Sequence, residues 1–532
     1  MDILSLIVCA GIGLAIVYIT SRLLASSKNA GRPPLPPGPK GLPLVGNLND
    51  LPAPGVFEAK HWLQHKELYG PISSLTVMGQ TIVVLNDANL ARELLEKRSV
   101  IYSSRPTQVF AGQIVGWENA IAPCVYGDRF RTHRKNVSRI IGSKASASQF
   151  DKLQEAEVGH FLLHLLNNPE RLFGHIKKEA GAVISKIAYG YTAESHGDDP
   201  FIDMAGSAMD HFSQASTPGA FMVDIFPILK QLPEWFPGAG FKKAGRQWAA
   251  ELTELTEKPR AFVKQQMAQG KTQESFLAQL MEAGDADAEQ QHTNKFSAMS
   301  LYTGGADTTV SSMMCFFLAM TVYPEAQHRA QQEIDSVVGR DRLPTVADRD
   351  NLPYIEAVVK EVLRWNPVVP MGLPHMNTKE DVCEGYFIPE GSMLLPNVWH
   401  FTHDPEVYHD PLVFKPERFL AQAGHKPEPD PRQFVFGFGR RICPGRLLAD
   451  NSLYLNIVQS LAVFNISKYV ENGREIEPII RLEPGIISHP VPYKNLIKPR
   501  SPHHEKLIRS IEDIFPWEES DSKALQSISV QI

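Results

Sequence analysis

The chain of 532 residues has apolar positions mostly at helical spacing, with a few short strand-like runs. Two β-rich runs in Ile72–Leu85 meet at Met78-Gly79-Gln80, which predicts a hairpin. The segment Asp87–Ser99 then begins with an Asp cap and opens the helical part of the chain. Further helices are predicted over Ala147–Leu166, Phe173–Tyr189, Lys295–Thr321, Pro324–Val338, Tyr354–Trp365 and Leu447–Phe464, and short strands near Gly385–Ile388 and Met393–Pro396. The pattern predicts a mainly α fold with small β-sheets.

The first residues form a separate apolar run. No charged residue occurs from Ile3 to Ser21, and a helix of this length, at about 1.5 Å per residue, is near the lower limit for crossing a membrane. A cleaved signal peptide is the alternative, but no basic residue precedes the run and no clean cleavage site follows it. Residues 1–30 are therefore predicted to be a retained transmembrane helix. Basic residues follow this helix, so the positive-inside rule predicts a cytosolic body.

Composition changes at both ends of the main body. The proline-rich stretch Pro33–Pro43 predicts a stiff spacer between membrane and body, with an SH3-type ligand as the alternative. The body itself is predicted over residues 31–500. Residues 501–532 form a charged extension, for which disorder is the default and Glu505–Phe515 is one possible helix.

Charge and cysteine usage exclude some classes of protein. The formal net charge of −6 argues against a nucleic-acid-binding surface, which usually has a basic excess. The five cysteines are scattered without a CxxC pair, which fits a reducing compartment and excludes the common zinc spacings.

One cysteine stands in unusual surroundings. Cys443 lies in FGFGRRICPGRLLAD, a loop with three glycines and three arginines that leads into the predicted helix Leu447–Phe464. The helix dipole and the arginines stabilise a thiolate at this position. A lone thiolate is a poor zinc site but a suitable fifth ligand of haem iron. From these residues alone, a reactive but unligated cysteine and a chance glycine-rich loop remain the alternatives.

The cysteine loop resembles the haem-binding loop of the cytochrome P450 monooxygenases. The matching pattern is Phe436-x-x-Gly439-x-Arg441-x-Cys443-x-Gly445. The resemblance covers Pro33 to Arg500 and implies the cytochrome P450 fold, with haem b bound through the Cys443 thiolate. Stretches such as ELYGPISSLTVMGQT and HDPEVYHDP resemble the filamentous-fungal branch that serves secondary metabolism, in particular the O-methylsterigmatocystin oxidoreductases.

Two further motifs follow the order of the family. Glu361-x-x-Arg364 lies on a predicted helix with both side chains on one face, and Arg418 belongs to PERF. An isolated ExxR is usually a solvated surface pair. Together with the cysteine loop, the resemblance implies a buried structural network that holds the haem pocket.

A third motif, GGADTT, lies inside the predicted helix Lys295–Thr321. Two interior glycines cost about 1 kcal/mol each relative to alanine and therefore need an explanation. Thr308 can donate a hydrogen bond to the carbonyl of Gly304 and loosen the helix. Close packing of the helix through glycine is the alternative. The resemblance implies a groove for dioxygen, with Asp307 and Thr308 delivering protons.

The resemblance also implies contacts with the two haem propionates. In YGDRFRTHRK, Arg134 matches the family pattern, but Phe130 stands where tryptophan is usual, which removes an indole N–H donor. His375 and Arg441 are the other expected propionate partners. The arginine fork suits this task because it binds carboxylates in fixed geometry.

Substrate contacts are implied only by the resemblance. The expected lining residues are Phe110, Leu301, Gly304, Val369 and Ile487. They are mostly apolar and indicate a hydrophobic ring system such as a polyketide. The apolar, proline-broken segment Phe221–Phe241 predicts either a core loop or a lid that dips into a membrane.

The resemblance implies a monooxygenase anchored in the endoplasmic reticulum membrane by one span. Electrons would come from NADPH through a membrane-bound reductase. This reductase is expected to dock on a basic surface; the alternative is that the basic residues are only solvated and bind no partner. The basic residues in question are Arg131, Arg134, Lys135, Arg139, Arg440 and Arg446. An isomerase or dehydratase that needs no external dioxygen and a haem-binding sensor without turnover are the alternative functions.

Overall fold

The computed structural model describes residues 31–530 except 54, 218, 272–273, 285–286, 422–423 and 425. The predicted transmembrane helix lies outside the described residues. The helices are α1 Glu58–Tyr69, α2 Ala88–Arg92, α3 Ser99–Tyr102, α4 Asp128–Ile141, α5 Lys144–Ser148, α6 Asp151–Asn167, α7 Leu172–Tyr189, α8 Pro200–Ser216, α9 Met222–Ile225, α10 Phe241–Ala268, α11 Phe276–Glu282, α12 Ala288–Ala306, α13 Thr308–Val322, α14 Pro324–Val337, α15 Pro353–Trp365, α16 Val398–His403, α17 Arg432–Val435, α18 Arg446–Val463, α19 Pro502–Arg509, α20 Ile511–Ile514 and α21 Ser522–Gln526.

The strands form three small sheets. They are β1 Ile72–Val77, β2 Gln80–Leu85, β3 His375–Met376, β4 Asp381–Cys383, β5 Tyr386–Ile388, β6 Met393–Pro396, β7 Phe464–Glu471, β8 Arg474–Ile476 and β9 Asn495–Pro499. The largest sheet has the order β1-β2-β6-β3, with β2 and β6 parallel and the other pairs antiparallel. The β1–β2 hairpin turns at Met78-Gly79, as the sequence predicts. The mainly α fold with small sheets is confirmed.

The helix that follows the hairpin is shorter than predicted. Asp87 caps it as expected, since its side chain accepts a hydrogen bond from the N–H of Leu90. However, α2 ends at Arg92 and continues as a wider π-helical turn, Glu93–Lys97. The carbonyl of Leu95 in this turn would lie 2.5 Å from a Cβ at Gly439, so the turn and the cysteine loop touch through their backbones.

A nearly continuous helical stretch, α12 and α13, runs through the core. The stretch Ala288–Val322 is long and apolar enough to cross a membrane, but 72% of its apolar window is buried inside the protein. Its α13 half joins α15 and α18 in one hydrophobic core, and its α12 half joins α7, α8 and α10 in a second. This stretch is therefore the central core helix of the described structure.

Several elements have no counterpart among the predicted ones. The longest of them are the helices α1, α8 and α10, and the sheet β8-β7-β9 was also not predicted. The predicted helix Ala147–Leu166 is also divided at Gln149-Phe150, where a new helix starts after a Ser143-capped one.

The C-terminal extension is folded onto the body, so the expectation of disorder is wrong. The predicted helix Glu505–Phe515 is present as α19 and α20. Ile511 packs closely against Gly159: a Cβ added at Gly159 would lie 2.8 Å from Cγ2 of Ile511. Trp517 stacks on His160 with 3.9 Å between ring centroids, and Asp521 exchanges two hydrogen bonds with Thr192. Burial of apolar side chains explains why this charged segment is ordered.

Candidate functional site

A cavity of about 360 Å³ lies between the α12–α13 helix and the cysteine loop. Helix α4 and the segment after α15 form its sides, and the loop before β9 contributes Ile486 and Ile487. Cys443 and the GGADTT motif, which are far apart in the sequence, face each other across this space.

The cysteine loop holds Cys443 at the N-terminal end of α18. The N–H of Cys443 donates to the carbonyl of Phe436 at 2.7 Å, and Gly437 and Gly439 have positive φ angles of 76° and 52°. Burial raises the pKa of the Cys443 thiol, while the N–H of Gly445 and the charge of Arg134 act in the opposite direction. The net direction differs from the sequence-based expectation because burial outweighs the charges. A coordinating metal ion deprotonates such a thiol outright.

Two glycines of this loop have different surroundings. A side chain at Gly439 would collide with the carbonyl of Leu95 and with Ser99. At Gly445, a Cβ would meet its neighbours only at ordinary contact distances, 3.8 Å or more. The backbone approaches other protein backbone at Gly439, and only Gly445 lies beside the thiol.

Three arginines line the cavity and donate to backbone carbonyls. Arg134 donates to the carbonyl of Ile442 at 2.6 Å. Arg441 donates to the carbonyls of Ser103, Ile121 and Cys124, and its guanidinium lies 3.6 Å from the centre of the Phe130 ring. Phe130 thus stacks on an expected propionate partner, although it offers no N–H donor.

Arg105 is the third of these arginines, and the sequence-based prediction missed it. Only 7% of Arg105 is exposed, and it donates to the carbonyls of Ala122, Leu373 and Pro374. The sequence gives no local signal for this residue, because the carbonyls that it binds lie on other segments of the chain.

Burial shifts every titratable cation at this end of the cavity. It lowers the pKa of Arg441 to about 10, and it also lowers the pKa values of Arg134 and Arg105. The pKa of His375 lies well below its ordinary value because of burial and the nearby Arg105. His375 shares a hydrogen bond through Nδ1 with the carbonyl of Tyr102 and lines the cavity.

These cations fit a bound group with two carboxylates. In the described part of the chain, no carboxylate of the protein pairs with Arg105, Arg134 or Arg441. Burying cations without a counter-ion is costly, so the arrangement suits an anionic ligand. A thiol, several guanidiniums and apolar walls in one cavity together match the iron, the propionates and the flat ring of haem.

The α12–α13 helix is interrupted at the cavity wall that lies across from the thiol. Thr308 Oγ1 donates to the carbonyl of Gly304 at 2.7 Å, as predicted, and the helical geometry breaks at Asp307 with φ −121°. A Cβ at Gly305 would lie 2.9 Å from Ile184 of α7, whereas no atom lies within 4 Å of a Cβ at Gly304. Both explanations of the glycines therefore hold, one for each: Gly305 permits close helix packing and Gly304 opens a groove.

Asp307 and Thr308 face different neighbours. Thr308 lines the cavity, but the carboxylate of Asp307 lies 3.1 Å from Nε2 of His489. The sequence gives no signal for His489, because this residue lies on a distant loop.

Most of the expected substrate contacts line the cavity. Leu301, Gly304, Val369 and Ile487 do so. Phe110 does not, so its prediction as a lining residue is wrong. Phe110 is fully buried and stacks on Phe221 at 3.5 Å, within an aromatic cluster that also includes Phe241 and Trp248.

The ExxR motif and PERF meet in a buried network. Glu361 accepts hydrogen bonds from Arg364 at 2.8 and 2.9 Å, from Arg418 at 3.2 Å and from the N–H of Lys415 at 2.7 Å. The side chains of Glu361 and Arg364 have no exposed surface, and that of Arg418 is 1% exposed. Glu428 adds a second carboxylate to Arg418 at 2.7 Å.

Comparison with known proteins agrees with this geometry. The family model Cytochrome P450 matches residues 36–497. Cytochrome P450 monooxygenase claR of Ampulloclitocybe clavipes is 48% identical over 94% of this chain and 93% of its own length. Cytochrome P450 monooxygenase ppsD of Aspergillus oryzae is 44% identical over 93% of this chain and 94% of its own length. The O-methylsterigmatocystin oxidoreductase of Aspergillus flavus is 42% identical over 98% of this chain and 97% of its own length.

The chain therefore belongs to the cytochrome P450 family. Its cofactor is haem with an axial cysteine thiolate, and its activity is that of a monooxygenase, as the sequence predicts. The predicted similarity to fungal enzymes of the O-methylsterigmatocystin oxidoreductase group is confirmed as well.

Proposed function

We propose that this monooxygenase oxidises a hydrophobic, ring-containing secondary metabolite with electrons from NADPH. The observation that carries the proposal is the shared cavity, which places Cys443, Thr308 and the groove at Gly304 around one apolar space. Leu301, Val369 and Ile487 offer no hydrogen-bonding side chains, which supports an apolar substrate. The name of the Aspergillus flavus relative, at 42% identity, supports a substrate of this type.

Each site residue has a distinct proposed role. Cys443 holds the iron, and Arg105, Arg134, Arg441 and His375 hold the propionates. When bound, haem supplies the activation of dioxygen, for which the protein provides placement and exclusion of water. Phe436, Gly439 and Gly445 shape the loop that presents the thiol.

Thr308 and Asp307 are proposed to deliver protons to the cavity. Thr308 lies at the cavity wall and already makes a hydrogen bond to the opened helix turn at Gly304. In Thr308→Ala we expect NADPH consumption to continue with less product and more hydrogen peroxide. Unchanged coupling in this variant would contradict the role.

The redox partner is proposed to be a membrane-bound NADPH-dependent reductase that docks on a basic face. Lys135, Arg139 and Arg440 are exposed and lie on α4 and on the cysteine loop, the side nearest the thiol. Long-range attraction of this kind weakens with salt. Reversing the charges of Lys135 and Arg139 should slow reduction at low salt, and an unchanged salt dependence would exclude this face.

Attachment to the endoplasmic reticulum membrane is proposed on two grounds. The first is the uncharged run Ile3–Ser21. The second is the Phe221–Phe241 segment, where Met222 is 51% exposed, Ile228 65% and Trp235 81%. Such an exposed apolar patch suits contact with a membrane rather than with water.

The decisive experiment is the carbon monoxide difference spectrum of the reduced protein, with Cys443→Ala and Cys383→Ala beside the wild type. Cys383 is buried away from the cavity and serves as the matched control. We expect the strongly red-shifted Soret band in wild type and Cys383→Ala and its loss in folded, haem-loaded Cys443→Ala. Retention of the band in Cys443→Ala would overturn the ligand assignment. A product-forming reaction that needs no NADPH would favour an isomerase instead.

A further inference from the structure

His489 is the ion-pair partner of Asp307, the residue at which the central α12–α13 helix is interrupted. Its Nε2 lies 3.1 Å from Oδ1 of Asp307. The two side chains keep 22% and 27% of their surface exposed, and neither residue lines the cavity, so this exposed surface faces solvent outside it. The adjacent Thr308 lines the cavity. The pair and Thr308 thus connect solvent with the cavity across the helix break.

The loop that carries His489 is fixed to the same helix. Ser311, one turn after Asp307, donates through Oγ to the carbonyl of Ser488 at 2.6 Å. The N–H of Ser488 donates to the carbonyl of Val368 at 2.8 Å, and its Oγ donates to the carbonyl of Glu483 at 2.8 Å. His489 therefore cannot drift away from Asp307 without breaking contacts of its neighbour.

The strongest charges around His489 favour an imidazolium. The charged groups that act on it most strongly are Asp307, Glu483 on its own loop and Asp210 on α8, and all three are carboxylates. Burial opposes protonation, but the hydrogen bond to Asp307 and these charges raise the pKa of His489 above its ordinary value. Within the described residues, Nδ1 is buried and has no hydrogen-bond partner, so Asp307 is the side-chain partner that orients the ring.

We propose that His489 is the positioning residue that holds Asp307 at the helix break and supplies it with protons from solvent. This inference rests on the proposed role of Asp307 in proton delivery. The proton on Nε2 of His489 moves to Oδ1 of Asp307, which leaves a neutral imidazole and a neutral carboxyl group. Asp307 passes this proton toward the cavity, and water protonates His489 again. No electron moves in this transfer; NADPH supplies the electrons of the monooxygenase reaction.

The test uses the full chain loaded with haem and reconstituted with a purified NADPH-dependent reductase. NADPH consumption and hydrogen peroxide release are measured without added substrate across the neutral pH range. We expect the wild-type rate of NADPH consumption to fall as the pH rises through the pKa of His489, because the imidazolium is lost. In His489→Gln, whose amide can still donate to Asp307 but does not titrate, we expect a rate about tenfold lower at neutral pH and independent of pH.

His409 offers a matched control. It lies 3.4 Å from Asp410 in a similar His–Asp pair, but its side chain is 80% exposed. His409→Gln should keep the rate and the pH profile of the wild type. A His489→Gln variant with the wild-type rate and profile would overturn the proposal.

Two further measurements separate a structural effect from proton supply. If His489 acts through Asp307, Asp307→Asn and the double variant Asp307→Asn/His489→Gln should consume NADPH at equal rates, and additive losses would overturn the proposal.

Thermal unfolding is the readout that needs no turnover. Because folding raises the pKa of His489, the wild type should exceed His489→Gln in stability at acidic pH, and this difference should vanish as the pH rises through that pKa. A pH-independent difference would contradict the ion pair. Failure of the proposed function is recognised separately, by loss of the carbon monoxide band in the wild type.

Discussion

Two groups of buried arginines differ in what they face. Arg364 and Arg418 face Glu361 and Glu428, so their charges are balanced within the protein. The arginines of the cavity donate only to backbone carbonyls in the described structure. The first arrangement holds the fold together, whereas the second is complete only with an anionic ligand. Substitutions at the two places should therefore separate loss of folding from loss of haem.

The largest effect is expected from Glu361→Gln. This change leaves two fully buried guanidiniums without their shared carboxylate, which costs about 3–5 kcal/mol. We expect little haem-loaded protein and a lower urea midpoint. Glu505→Gln is the control, since Glu505 and Arg509 form an exposed pair worth at most about 1 kcal/mol. An equal drop in the urea midpoint of both variants would contradict the claim that the buried Glu361 network holds the fold together.

Gly304 and Gly305 show the same contrast between residues that hold the fold together and residues that shape the cavity, within one helix turn. Gly305→Ala places a Cβ 2.9 Å from Ile184 and should lower the free energy of unfolding by about 1–3 kcal/mol. Gly304→Ala meets no neighbour and should leave stability equal or up to about 1 kcal/mol higher, since alanine favours helix. Urea unfolding of both variants measures the difference. A more stable Gly305→Ala would refute close packing at that position.

A smaller effect on a different quantity is expected from Arg134→Met. Arg134 is bound to the protein by one backbone contact, so the haem-free protein should keep its stability. Loss of a charge-assisted hydrogen bond to a propionate should speed haem dissociation about tenfold. Transfer of haem to an acceptor protein measures this rate. The exposed Arg139 on the same helix is the control, and equal rates in Arg134→Met and Arg139→Met would argue against propionate contact.

The smallest effect is expected from Phe130→Trp. The ring of Phe130 already lies 3.6 Å from the guanidinium of Arg441, so stacking is preserved and an indole N–H is added. We expect haem retention to improve by no more than about twofold, a change well below 1 kcal/mol. A marked loss of haem in this variant would mean that the pocket cannot accommodate the larger ring.

The sequence predicted those parts of the protein that depend on local pattern or on motif order. The hairpin, the Asp87 cap and the hydrogen bond from Thr308 to Gly304 follow from neighbouring residues. Arg105 and His489 were missed because their roles arise from contacts between distant segments. Phe110 was misplaced for the same reason, since the aromatic rings that hold it belong to distant segments of the chain.

The folded C-terminal segment has a practical consequence for engineering this enzyme. Ile508, Ile511 and Leu525 are buried, and Asp521 is hydrogen-bonded to Thr192 in the link that leads to α8. A version trimmed at residue 500 to obtain a smaller catalyst would expose to water the apolar surface that these side chains cover. A reductase fused directly behind α21 would strain the contacts between this C-terminal segment and the body. A purification tag or a fused electron donor therefore needs a long, flexible joint at this end of the protein.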